Sequence, residues 1–205
     1  MFLAFAYLVG SLPTSFLFGK FLKNVDIRKE GSGNVGATNA FRVLGPKIGV
    51  TVMAIDIFKG FLPVYLAQGR SFGEYSQLWY FLIGVAAILG HVFTIFLKFR
   101  GGKGVATTAG VFVALAPKAA LTCVILWTVL VALFKMASVG SIAAASLLPF
   151  AIYYFNGPDR LLLGVSTCMS LLVIYMHKKN IKNLINGTEL KINSKPPEDK
   201  EDTQN

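Results

Sequence analysis

Two glycine-rich stretches carry the densest polar chemistry in the chain. One is Gly31-Ser32-Gly33-Asn34-Val35-Gly36-Ala37-Thr38-Asn39, with Arg42 close behind; the other is Phe99-Arg100-Gly101-Gly102-Lys103-Gly104. Glycine turns expose backbone N–H groups that cradle anions, and a nearby lysine or arginine supplies the countercharge. Ser32, Asn34, Thr38 and Asn39 add hydroxyl and amide groups that suit phosphate oxygens. The pattern reads as phosphate handling, with Arg42 and Lys103 as its cations and Gly101, Gly102 and Gly104 as its turns. The second stretch lacks the full spacing of a nucleotide P-loop.

Other polar residues stand apart from these loops. His177 and Asn180 lie three residues apart, so on a helix they share a face. His91 sits in an apolar run, where it either has a function or satisfies a neighbouring backbone group. Asp56 and Lys59 are spaced to pair on one helix face, the arrangement expected of a structural ion pair, since each charge alone costs about 2.5–3.5 kcal/mol at mid-membrane. Ser138 and Ser141 open a later apolar helix, where their hydroxyls either cap it or bind an oxyanion. No His, Cys or carboxylate cluster has metal-ligand spacing, so neither a metal nor a cofactor is expected. The positions five beyond the two histidines hold Phe96 and Lys182, which excludes a His-x4-Asp acyltransferase, and no Gly-x-Ser-x-Gly elbow occurs.

The elements that position these residues must lie in a membrane. A chain of 205 residues with 54% hydrophobic and 15% charged content, and a mean hydropathy of +0.60, reads as an all-α polytopic membrane protein of one domain over 1–193. Apolar segments run over about 1–19, 46–67, 78–97, 105–134, 139–155 and 161–176. The fourth would make a helix of about 45 Å against a hydrocarbon core of about 30 Å, and Pro117-Lys118 interrupts it. Dividing it there gives seven transmembrane helices and gathers the loop lysines and arginines on one side, leaving Arg70, Lys118 and Arg160 on the other. By the positive-inside rule the N-terminus is then outside, the C-terminus is cytoplasmic, and the second, fourth and sixth helices start at the cytoplasmic face. The net charge of +10 punctuates apolar segments without forming a basic face, so no nucleic acid is implied. Cys123 and Cys168 read as packing residues, and the polar tail over 194–205 reads as disordered.

Three stretches in order, Gly31-Ser32-Gly33-Asn34 with Gly36, Thr38, Asn39 and Arg42, then Gly90-His91 leading into Phe99 to Gly104, then His177-x-x-Asn180 with Gly187 and Glu189, resemble the bacterial acyl-phosphate:glycerol-3-phosphate acyltransferases. The resemblance spans nearly the whole chain and implies a multi-pass protein of the bacterial cytoplasmic membrane that acts as a monomer. It implies that Ser32 and Arg42 are needed for activity, that Gly101, Gly102 and Gly104 bind the acyl phosphate, that His177 and Asn180 serve catalysis, and that Glu189 keeps structural integrity. Asn183 stands where the family pattern expects a basic residue. The implied reaction moves a fatty acyl group from acyl phosphate to the 1-hydroxyl of glycerol 3-phosphate, giving lysophosphatidic acid and inorganic phosphate. Either His177 or the donor's own phosphate takes the hydroxyl proton. An anion transporter is the alternative class, because helix ends and intramembrane charges bind anions there too.

Overall fold

The computed structural model describes residues 1–194, so most of the 194–205 tail lies outside the described residues. Within them the chain forms ten α-helices, one 3-10 turn at Ile95–Leu97 and no named strand. Four helices are long and apolar enough to cross a membrane, and two bent helix pairs each pass the same test as a unit.

Proline decides where the apolar segments break. The first is not one helix: α1 (Phe2–Ser11) and α2 (Thr14–Lys23) meet at a 41° bend. Pro13 has no amide to donate and pushes Leu12 out of the helical region, to φ −54° and ψ 115°. The 20–47 loop contains a helix absent from the sequence reading, α3 (Ala37–Leu44). Next come α4 (Pro46–Gln68), with proline at its permissive first position, and α5 (Ser76–Val92). The fourth apolar segment divides at Ala116, before Pro117, into α6 (Val105–Leu115) and α7 (Pro117–Phe134). Then α8 (Ala137–Asn156), α9 (Arg160–Met176) and α10 (Lys178–Ile185) complete the order, α10 turning 57° away from α9.

The tightest pairings are α1 on α5, α4 on α6 and α7 on α8. Small residues permit the second: a Cβ on Gly60 would strike the Thr107 carbonyl, and one on Gly110 would strike the Ile57 carbonyl. Such close backbone approach is how helices gain packing energy where lipid removes the hydrophobic drive. Those contacts run α6 parallel to the second half of α4, with Gln68 Nε2 donating to the Ala114 carbonyl at 3.1 Å near their common end. Since Thr107 lies beside Gly60, the N-terminus of α6 sits about 15 Å along α4 from where α4 begins. The 11-residue α6 is short because the preceding loop dips into the bundle.

A buried polar knot closes the α1–α2 break. Lys59 Nζ donates to the Leu12 carbonyl at 2.8 Å and pairs with Asp56 Oδ1 at 2.8 Å, and Thr14 Oγ1 donates to the same carboxylate oxygen at 3.0 Å. Each charge has its countercharge and the broken helix has its free carbonyl satisfied, so none is left bare in the apolar interior.

Candidate active site

One cavity of about 560 Å³ opens at the polar end of the bundle and runs into its apolar interior. Two helix N-termini that the sequence reading identified, those of α6 and α8, line it; the third contributor is α3 through Ala37 and Thr38. The α4 N-terminus does not: α4 reaches the cavity at Met53, Asp56 and Ile57, well inside the helix. The first amides of each helix have no intrahelical acceptor and carry the positive dipole end, so three such ends make the mouth an anion trap.

At the outer lip, Ser32, Asn34 and Thr38 line the cavity, and among the described residues no hydrogen bond occupies their side chains. Asn39 is spent on the loop itself: Oδ1 accepts from the Ser32 amide at 2.8 Å while Nδ2 donates to the Ile27 and Glu30 carbonyls at 3.1 and 3.0 Å. It lines the cavity and shapes the lip through these bonds. Arg42 donates from Nε to the Lys191 carbonyl at 3.0 Å and from Nη2 to the Leu190 carbonyl at 2.9 Å, which straps the segment after α10 across the mouth. Ile192 N donates to the Lys135 carbonyl at 2.6 Å and pins the strap's far end beside α8.

Deeper, Lys103, Asn180, Glu189 and Ser138 form a continuous chain. Lys103 Nζ donates to Asn180 Oδ1 at 2.5 Å, Asn180 Nδ2 donates to Glu189 Oε1 at 2.7 Å, and Ser138 Oγ donates to that same oxygen at 2.7 Å. Burial pushes the Lys103 ammonium down to about 8, against the upward pull of the Glu189 carboxylate, while Arg42 and Lys179 push it further down. Ser141 Oγ donates to the Ala137 carbonyl at 2.8 Å and accepts from Trp127 Nε1 at 3.2 Å. Neither serine caps α8, whose N-cap is Met136.

His177, at the α9–α10 bend, is buried, with Nδ1 2.7 Å from the Val173 carbonyl. A carbonyl can only accept, so Nδ1 carries the proton and Nε2 keeps the lone pair. Burial lowers its pKa to about 4, Lys103 adding to the effect and the Val173 bond opposing it.

The glycine loop differs from its reading. Gly104 and Lys103 line the cavity, and so do Val105 and Ala106 in the first turn of α6. Gly101 and Gly102 lie behind, their amides donating to the Val92 carbonyl at 3.0 Å and the His91 carbonyl at 3.1 Å. These two amides satisfy the last carbonyls of α5, so in this structure they are engaged within the protein. Thr108 is also on the wall, its hydroxyl buried and without a partner among the described residues.

Past the polar mouth the walls turn apolar, with Phe112, Val124, Trp127, Leu148 and Met176. Val124 and Thr128 of α7 are exposed on the outer surface while lining the cavity, so it reaches the lipid-facing side of the bundle.

A family model described as glycerol-3-phosphate acyltransferase matches residues 1–187. The chain belongs to that family. It is 47% identical over 189 residues to the glycerol-3-phosphate acyltransferase of Trichlorobacter lovleyi, covering 92% of this chain and 95% of the relative. With the enzyme of that name from Bacillus subtilis it shares 46% over 187 residues, 91% and 94% of the two chains. Among solved structures, PlsY (YgiH), an integral membrane glycerol 3-phosphate acyltransferase crystallised in its glycerol 3-phosphate form, matches with a TM-score of 0.84 at 37% identity over 93% of each chain. Its lysophosphatidic acid form gives 0.80 at 36%. The family member described here is thus an enzyme, all-helical and membrane-integral. Sequence reasoning missed Lys179 on its cavity wall and the strap built from Leu190 and Lys191. The apolar spacing of Ala37, Ala40, Phe41 and Leu44 was the signal that would have revealed α3 and, through it, Arg42's reach to the strap.

Proposed function

We propose that this chain transfers a fatty acyl group from a long-chain acyl phosphate to the 1-hydroxyl of glycerol 3-phosphate, releasing lysophosphatidic acid and inorganic phosphate. One observation carries the reading: a single cavity joins a mouth of cations and helix N-termini to an apolar interior that reaches the lipid side. A donor with a phosphate head and a fatty chain matches both parts. Fourteen methylenes at about 0.8 kcal/mol each hold that chain in lipid with roughly 11 kcal/mol, while the acceptor arrives from water.

Two anion positions divide the work. The first turn of α6, with Lys103 and the Thr108 hydroxyl, suits the donor phosphate; Ser32, Thr38, Arg42 and the α3 N-terminus suit glycerol 3-phosphate. Their positive charge offsets the repulsion of two phosphates brought together, and the α6 amides stabilise the oxyanion that forms on the acyl carbonyl. The 1-hydroxyl oxygen attacks that carbonyl carbon, the tetrahedral adduct collapses, and the acyl–oxygen bond to phosphate breaks. The inorganic phosphate dianion that departs is a stronger base than the buried imidazole of His177, whose pKa is lowered to about 4. The proton therefore finishes on the departing phosphate, and His177 Nε2 orients the hydroxyl by accepting its hydrogen bond. Neither a metal nor a covalent enzyme intermediate enters the scheme.

The same reading covers topology. Counting the α1–α2 pair as one crossing and α6 as another gives seven, with the N-terminus outside and the polar end cytoplasmic, in a bacterial inner membrane. Contacts of the 24–36, 98–104 and 177–192 segments at one end, opposite Arg70 and Asp159, support it. Residues 1–193 are taken in this reading as a single domain that acts as a monomer.

The decisive experiment offers the purified protein radiolabelled glycerol 3-phosphate with palmitoyl phosphate, palmitoyl-CoA or palmitoyl-acyl carrier protein in separate reactions. Labelled lysophosphatidic acid from palmitoyl phosphate alone is expected. Product only from a thioester overturns the donor, and none from any donor overturns the reaction.

A further inference from the structure

The mechanism leaves His91 without a task, yet His91 is buried on the cavity wall at the last turn of α5. Its Nδ1 lies 4.0 Å from Asp56 Oδ1, the carboxylate oxygen that Lys59 and Thr14 already hold. On its other side the ring meets Gly102. A Cβ built on Gly102 would collide with the imidazole at Nε2 and Cε1. Gly102 is buried and is not among the residues with positive φ, so its backbone accepts any L residue and space alone makes it glycine. Gly104 differs, at φ 85°. The loop is therefore seated on His91 twice, through the Gly102 amide on the His91 carbonyl at 3.1 Å and through the Gly102 α-carbon on the ring. The next residue is Lys103, which turns into the cavity.

We infer that His91 is a positioning residue whose imidazole, packed between the knot at the α1–α2 break and Gly102, sets the height of the glycine loop. Through that loop it places Lys103 and the first turn of α6 against the donor phosphate. Gly102 is glycine in order to rest on this seat, not in order to offer its amide to a ligand. The inference rests on the acyl-transfer reading for its assay.

The test compares wild type, Gly102→Ala, His91→Ala and the double variant, varying palmitoyl phosphate and glycerol 3-phosphate in turn. Gly102→Ala is expected to raise the donor KM by up to about a hundredfold, the cost of a misplacement near 1 Å, with a smaller change in the acceptor KM. His91→Ala removes the obstacle, so the double variant recovers at least about tenfold of that loss. A double variant no better than Gly102→Ala, or a Gly102→Ala enzyme with its donor KM unchanged, overturns the inference. Should Gly102→Ala not purify as a monodisperse protein, the double variant's yield reads the same contact: recovery supports the seat, and none overturns it. A wild-type enzyme inactive with every donor would instead remove the reaction and leave this yield comparison standing.

Discussion

Lys103 lives between a carboxylate that keeps it charged and a burial that discharges it. With its pKa near 8, it is an ammonium below that pH and a neutral amine above, so kcat/KM for the donor is expected to fall as pH rises through about 8. Glu189→Gln removes the upward pull and should move that fall to lower pH; a profile that stays in place would detach Glu189 from the charge on Lys103. His177 titrates at the other end of the range. Because it is neutral above about 4, any inflection of kcat between pH 5 and 7 should be the same in wild type and His177→Asn, the imidazole adding its own decline only in stronger acid. His177→Ala should lower kcat by about a hundredfold through loss of orientation, measured at saturating substrates. Near-normal turnover would take the imidazole out of the reaction. At this scale the sequence was informative about residue type: Lys103, Arg42, Ser32, His177 and Asn180 all meet the cavity. It was silent on direction. The Gly101 and Gly102 amides turn away from the ligand because their acceptors, at Val92 and His91, come from a helix end ten residues earlier, and no local pattern encodes that choice.

Helix α6 sets the depth of the site. Its proximity to α4 rests on glycine, so Gly110→Ala, whose Cβ would meet the Ile57 carbonyl, should destabilise the protein by about 1–3 kcal/mol. Thermal unfolding in detergent checks this, and an unchanged midpoint would mean that α4 and α6 separate at little cost. The break at Ala116 was legible because Pro117 forbids continuity. Pro13 carried the same signal, and the unbroken apolar run around it outweighed the proline in a reading based on length. Helix α3 was hidden for a different reason: its apolar spacing lasts only eight residues behind a glycine-rich polar loop, and tertiary contacts such as those of Asn39 with Ile27 and Glu30 hold it in place.

Across the whole molecule, the site is assembled from segments that are distant along the chain. The lip comes from residues 31–42, the glycine loop from 101–104, the α8 serines from 138–141, and the His177–Asn180 pair and strap from 177–191. Deleting residues 195–205 should leave kcat/KM within about twofold, as expected of a polar, proline-containing tail. Ending the chain at Gly187 removes Glu189 and both carbonyl acceptors of Arg42, and should abolish acyl transfer while the helices still insert. Assays on membranes carrying equal amounts of each truncated protein distinguish the two outcomes. Retained activity in the shorter one would reduce the strap to decoration.

That strap has a consequence for how the protein is made. Glu189, Leu190 and Lys191 follow α10, so they leave the ribosome after helices α1 to α10 have been synthesised. A nascent chain already threaded into the bilayer has its cations in place but lacks the carboxylate and the carbonyls that hold them in register. Catalytic competence is therefore expected only after the strap has emerged, and a copy that stops short of Glu189 should sit in the membrane as an inactive scaffold.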